Sequence, residues 1–145
     1  MRFNSISPQA TSEVASKILD TLKPNSKATV LALSGDLGAG KTTLTKGFAN
    51  ALGILDIVNS PTFNILKKYS VPDNKLFKHL VHIDAYRLAN SHDLISIGFS
   101  DLIRDPSNLI IIEWPERVVE ILPPETLNIQ INHIDIDTRE IILRD

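Results

Sequence analysis

Cysteine is absent from the chain, which excludes a disulfide framework, a thiolate metal site and a cysteine nucleophile. Long apolar runs are absent too. The longest, Leu109 to Ile112 among them, hold four residues, far short of the roughly 18 to 20 needed to cross a bilayer. The first residues carry no hydrophobic signal core, so the protein is expected to stay in the compartment where it is made. The missing cysteine fits the reducing cytoplasm, and no membrane partner is implied. An excess of charge of one sign is also lacking. With a formal net charge of −2 there is no basic footprint of the kind that neutralises nucleic-acid phosphates, so any RNA contact is expected to come mostly through another protein.

What is present reads as an ordinary globular composition, 43% apolar and 22% charged over 145 residues. That length suits one domain, residues 1–145, and leaves little for a second core. Ser7-Pro8 marks a helix start, and Val14, Ile18 and Leu22, flanked by Ala15 and Leu19, form one apolar helical stripe that ends at Lys23-Pro24-Asn25-Ser26. Val30 to Leu33 is a short apolar strand. A glycine-rich turn follows it, then a helical face of Leu44, Phe48 and Leu52 before Gly53. Phe63 to Tyr69 and Leu76 to Ile83 flank a Val71-Pro72-Asp73-Asn74-Lys75 turn and are expected to pair as a long hairpin. Ser91 and Ser100 are candidate caps of two short helices parted near Gly98, and Leu109 to Ile112 reads as a fully buried strand. Beyond Pro123-Pro124, Leu127, Ile129 and Ile131 and then Ile141 and Leu143 alternate as a closing antiparallel hairpin. The expected fold class is α/β: a P-loop NTPase-like sheet with parallel central strands, flanking helices and antiparallel edge hairpins.

Gly35-Asp36-Leu37-Gly38-Ala39-Gly40-Lys41-Thr42 fits the phosphate-loop pattern without mismatch, between a predicted strand and a predicted helix. At ordinary residue frequencies that pattern arises by chance in roughly one chain of this length in a few hundred. Glycines let backbone N–H groups turn inward around an anion, and the following helix adds its positive end. Lys41 supplies a charge for the β- and γ-phosphates, Thr42 a hydroxyl for Mg²⁺, and Thr43 and Gly38 serve the loop's shape or the α-phosphate. The ligand class is a nucleoside triphosphate with magnesium, ATP or GTP.

Phosphoryl chemistry also requires a second metal ligand and a group that orients water. Leu80 to Asp84 and Leu109 to Glu113 are both apolar runs ending in a carboxylate, the form of a Walker B strand; one acid would hold Mg²⁺ and the other the water. Ser60-Pro61-Thr62-Phe63 stands where a switch hydroxyl would sit, or is a plain proline turn. Arg87 is the cis candidate for transition-state charge, or a structural ion-pair partner. His82 reads as a packing histidine rather than a base. Gln9 and Gln130 are the only glutamines, both far in sequence from the loop, so no water-positioning glutamine is evident and intrinsic hydrolysis should be slow.

Four blocks in order, Gly35 to Thr43, Ser60-Pro61-Thr62-Phe63, His82-Ile83-Asp84-Ala85-Tyr86-Arg87-Leu88 and Ile112-Glu113-Trp114-Pro115-Glu116, closely resemble the bacterial TsaE family, also called YjeE. The resemblance covers nearly the whole chain. It implies an ATPase that supports threonylcarbamoyladenosine formation in tRNAs reading codons that begin with A. The implied partners are TsaD and TsaB, with tRNA reached indirectly through that complex. It further implies that Lys41 and Thr42 bind phosphate and Mg²⁺, with Glu113 as second metal ligand, Asp84 as catalytic acid, Thr62 as switch hydroxyl and Trp114 as a functional residue rather than core. Base contacts would fall near Thr11 and at Arg139. One departure is a few additional residues around Val71 to Lys75. Two rival readings remain, a small-molecule P-loop kinase and a nucleotide-dependent binding module without useful turnover.

Overall fold

The computed structural model describes residues 1–36, 38–56, 65–74 and 76–144. Among the described residues seven strands form one sheet: β1 (Arg2–Ser5), β2 (Thr29–Ser34), β3 (Leu66–Ser70), β4 (His79–Asp84), β5 (Asn108–Glu113), β6 (Leu127–His133) and β7 (Arg139–Arg144). Their spatial order is β1-β7-β6-β2-β5-β4-β3. The four middle strands, β6, β2, β5 and β4, run parallel, and the outer pairings are antiparallel. Helices α1 (Pro8–Thr21), α2 (Lys41–Ala51), α3 (Ser91–Ser96) and α4 (Phe99–Arg104) flank the sheet, and two 3₁₀ turns, Pro115–Arg117 and Val119–Ile121, follow β5. This is an α/β, P-loop NTPase-like fold, as the sequence implied.

Period-2 alternation sorts the core onto both faces of the parallel strands. Leu109 and Ile111 of β5 join Leu31, Leu33 and Leu80 in a cluster with Val14 and Ile18 of α1 and Leu44 and Phe48 of α2. Ile110 and Ile112 join Val30, Val81 and Ile83 under Leu94 of α3 and Phe99 of α4. Every residue of β5 is buried, because the strand is covered on both faces. Fully burying side chains of this size contributes about 1.5–3 kcal/mol each.

Helix α1 begins as its sequence dictates: Pro8 occupies the first turn and the Ser7 hydroxyl accepts from the Ala10 N–H at 3.0 Å. It then packs closely on α2. A Cβ on Gly47 would lie 2.9 Å from Ser12 Cα, so only glycine permits this approach.

Three points depart from the expectations. The N-terminal strand β1, with no apolar alternation of its own, was not anticipated; it adds to β7, pairing Arg2 with Ile142 and Ser5 with Arg139. In the β3–β4 hairpin the second strand begins at His79 rather than Leu76, and the first at Leu66 among the described residues, Phe63 and Asn64 lying outside them. The caps of α3 and α4 are Asn90, whose side chain accepts from the Asp93 N–H, and Gly98 in the left-handed region at φ 96°, rather than Ser91 and Ser100. The closing antiparallel hairpin forms as expected, β6 with β7, and β6 also extends the parallel set beside β2.

Candidate functional site

The register of the parallel strands brings their carboxyl ends level. Leu33 pairs with Glu113, and Glu113 pairs in turn with Asp84. The three strand tips therefore form one rung, and the glycine loop leaves β2 directly above it. Ligand sites of open α/β sheets lie at this edge.

The loop's conformation depends on its glycines. Gly38 and Gly40 have φ of 79° and 110°, in the left-handed region. A Cβ on Gly35 would stand 2.6 Å from the Ile131 carbonyl oxygen of β6, so the strand-to-loop turn admits no side chain there. Gly40 occupies the N-cap of α2 and offers no side-chain acceptor. The first amides of that helix are thus left to an external anion, with the helix dipole behind them.

Lys41, only 6% exposed, donates from Nζ to the Gly35 carbonyl at 2.5 Å. The same ammonium lies 3.8 Å from the centre of the Trp114 ring, a cation–π contact. Burial pulls its pKa below the ordinary lysine value, while Glu113, Glu116, Asp84 and Asp36 act in the opposite sense. At the first turn of α2, beside the free loop amides, this ammonium supplies counter-charge for a phosphate. Thr42 follows it in the first turn of α2.

Asp84 and Glu113 end β4 and β5. The Asp84 carboxylate accepts from the Tyr86 N–H at 3.0 Å within its own turn, and the Glu113 carbonyl accepts from the Ala85 N–H at 3.0 Å, which ties the end of β4 to that of β5. His82 Nε2 and Glu113 Oε2 are hydrogen-bonded at 2.5 Å with both side chains buried, the ring N–H being the donor to an ionised carboxylate. Among the described residues no group of three or more His, Asp or Glu side chains could hold a metal. Magnesium at a phosphate site does not require one, because water and phosphate oxygens supply most of its octahedron. The hard oxygens of Thr42 and Glu113 fit that donor set.

Trp114 is the only non-glycine described residue at positive φ, 59° with ψ 51°, a conformation that costs roughly 1–2 kcal/mol. It turns the chain sharply after β5 into Pro115 and lays the indole over Lys41. Tyr86 packs on it with ring centres 5.0 Å apart, and the Arg117 guanidinium lies 5.8 Å from the Tyr86 ring. Arg87 is exposed and makes neither ion pair nor hydrogen bond among the described residues, so its ion-pair alternative finds no partner there. Ser60 and Thr62, and Leu37 of the loop, lie outside the described residues.

On one side of the loop a cavity of about 290 Å³ runs from Gly38 and Thr43 to Thr11, Ile136 and Arg139. Arg139 donates from Nε to the Ala39 carbonyl at 2.9 Å and from Nη1 to the Asp135, Ile136 and Thr138 carbonyls, tying the β6–β7 turn to the phosphate loop. The Thr11 hydroxyl is engaged by Ser5 Oγ at 2.7 Å and the Ser7 carbonyl at 3.2 Å. Both residues therefore border the same recess. On the other side a cavity of about 520 Å³ is bounded by Asp36, Trp114, Glu116 and Gln130. Gln130, distant in sequence, is brought close by the pairing of Ser34 with Gln130; its amide donates to Asn132 Oδ1 at 3.1 Å. Neither this proximity nor the His82–Glu113 bond is local in sequence; both arise from the pairing of strands distant along the chain. A further cavity of about 550 Å³ opens among Lys23, Asn25, Thr126 and Leu127, away from the glycine loop.

A glycine loop between a parallel strand and a helix N-terminus, with a buried lysine and two strand-end carboxylates beneath it, places the chain in the P-loop NTPase-like class of α/β proteins. Within that class the chain belongs to the TsaE family: the family model described as threonylcarbamoyl adenosine biosynthesis protein TsaE matches residues 5–141. Relatives named tRNA threonylcarbamoyladenosine biosynthesis protein TsaE include one from Bacillus subtilis, 40% identical over 97% of this chain and 83% of its own length. Another, from Haemophilus influenzae, is 38% identical over 81% of this chain and 70% of its own. The crystal structure of Bacillus subtilis YdiB matches with a TM-score of 0.75 at 37% identity, covering 97% of this chain and 82% of that one. A role in tRNA threonylcarbamoyladenosine biosynthesis follows from this membership. No helix among the described residues is long and apolar enough to cross a membrane.

Proposed function

We propose that the chain is a cytoplasmic ATPase whose binding and hydrolysis of Mg-ATP support threonylcarbamoyladenosine formation in tRNAs reading codons that begin with A, through a TsaD–TsaB complex. The observation that carries this reading is the common rung of Leu33, Glu113 and Asp84 beneath a glycine loop whose Lys41 is already held at its mouth. Phosphate affinity, metal ligation and water activation are thereby assigned to neighbouring strand tips.

In this reading Lys41 and the amides of the α2 N-terminus hold the β- and γ-phosphates. Thr42 and Glu113 hold Mg²⁺, which when bound neutralises charge on the transferring phosphoryl group. Asp84, next to Glu113 but one strand further from β2, orients the attacking water, and Thr62 contributes the switch hydroxyl. The base enters the recess bordered by Thr11 and Arg139. Arg87 is too exposed to serve unaided, so slow turnover alone and faster turnover in a complex are expected. The net charge of −2 also favours reaching tRNA through partners rather than directly.

The test is phosphate release from ATP by the purified chain, alone and with TsaD, TsaB and tRNA, with Lys41→Ala as the blank. Slow release that rises with the partners supports the proposal. Release indifferent to them would reopen the kinase reading. An Asp84→Asn variant that binds ATP and turns over like the wild type would make Asp84 a structural residue and remove it from the chemistry.

A further inference from the structure

His82 looks, from sequence, like a histidine absorbed into a core strand. Its position in the sheet also sets it beside the carboxylates of the site. Alternate residues of β4 face opposite sides: Val81 and Ile83 join the cluster under α3 and α4, whereas Leu80 joins the cluster under α1 and α2. His82 and Asp84 share the side of Leu80, which is also the side of Leu109, Ile111 and therefore Glu113 on β5. The imidazole thus stands one residue pair below the Asp84–Glu113 rung, on the face of the phosphate-loop helix, and is fully buried.

Its polar contacts are not those of a histidine chosen for packing. Nδ1 is buried and has no partner among the described residues, a penalty that an aliphatic side chain at this position would avoid. The compensating contact is the single bond from Nε2 to Glu113 Oε2 at 2.5 Å. An ionised carboxylate only accepts, so this donor occupies one oxygen and fixes the plane of the carboxyl group. Oε1 has no hydrogen-bond partner among the described residues.

We propose that His82 is a positioning residue that pins Oε2 of Glu113 so that Oε1 is presented to the divalent cation of the nucleotide complex. The inference rests on the assignment of Glu113 as a metal ligand. Partners that orient a ligating side chain are a general requirement of metal sites, and their loss typically costs roughly 10–100-fold in metal affinity.

The test compares ADP affinity by calorimetric titration in Mg²⁺ and in EDTA for the wild type, His82→Phe and His82→Gln, with the melting temperature of each. The ratio of the two affinities reads the coupling to metal and needs no turnover. Glutamine carries a donor close to the place of Nε2, and phenylalanine fills the volume without one. The expected result is about a tenfold loss of the Mg²⁺ enhancement in His82→Phe, substantial recovery in His82→Gln, and equal affinities in EDTA. Should His82→Phe not fold, His82→Asn, whose amide stands near Nδ1 and falls short of Glu113, takes its place. A full Mg²⁺ enhancement without the Nε2 donor would overturn the inference while leaving the metal assignment intact. So would affinities that fall equally with and without metal, the mark of a merely structural residue. A wild type whose ADP affinity ignores Mg²⁺ would remove both the metal assignment and this inference.

Discussion

Replacing Gly47 by alanine should destabilise this protein, although the same exchange in an exposed helix does the opposite. Within a helix, alanine is favoured over glycine by about 1 kcal/mol. Against that gain stands the contact between α2 and α1. A Cβ on Gly47 would lie 2.9 Å from Ser12 Cα, 3.2 Å from Ala15 Cβ and 3.3 Å from Ser12 Oγ. The nearest of these atoms is backbone, so relief requires α1 to shift rather than a side chain to rotate. Overpacking of this kind costs typically about 1–3 kcal/mol, which leaves a net loss of roughly 0–2 kcal/mol. In urea the midpoint should fall without a change of slope, and the melting temperature should drop by about 3 °C for each kcal/mol lost. Because Ser12 adjoins Thr11, which borders the recess beside the loop, displacement of α1 should also weaken ADP binding well below the transition. A Gly47→Ala protein with a raised midpoint would show that α1 yields freely, and the argument from close approach would fail.

Other consequences are as direct. Arg139→Ala removes a charged donor from the Ala39 carbonyl and from three carbonyls of the β6–β7 turn; a charge-assisted bond is worth about 1.5–3 kcal/mol, so nucleotide affinity by titration should fall roughly tenfold or more. Trp114 is the single tryptophan of the chain and covers Lys41, so Mg-ADP that draws the ammonium toward phosphate should change the indole emission. No change in a protein shown by calorimetry to be saturated would refute that coupling. The Asp135 carboxylate is held below its ordinary pKa by the Asp137 and Thr138 N–H groups. A depressed folded-state value means stability that is complete above the unfolded pKa and is lost as pH falls through the folded one. The deficit of Asp135→Ala in thermal melts should therefore be constant near neutrality and shrink in acid below about pH 4.

The parts of this molecule that were legible in its sequence are those that a local period or a special residue type controls. Leu109 to Ile112 announced a strand covered on both faces, and the glycines announced a loop that only backbone freedom permits. Strand β1 was illegible because Arg2, Phe3, Asn4 and Ser5 hold their conformation through β7, not through alternation. Ser91 misled because Asn90, one residue earlier, caps α3 with its side chain, and Ser100 because α4 starts from Gly98 in the left-handed region with no side-chain cap. At the site, period 2 shows which face a side chain takes but not which strand lies beside it. The nearness of Gln130 to the loop therefore waited on the placement of β6 against β2, and the partner of His82 on the pairing of β4 with β5.

The same pairing links stability to chemistry. A slip of β5 by one residue would exchange its two faces, sending Glu113 to the side of α3 and α4 and separating it from His82. Such a slip would also move Leu109 and Ile111 out of the cluster with Phe48 and Ile110 and Ile112 out of that with Phe99. The apolar residues that make β5 the most buried strand are thus also what holds one carboxylate beside Lys41, in register with Asp84. Substitutions in the middle of β5 that leave every polar group in place should for that reason be felt at the phosphate loop.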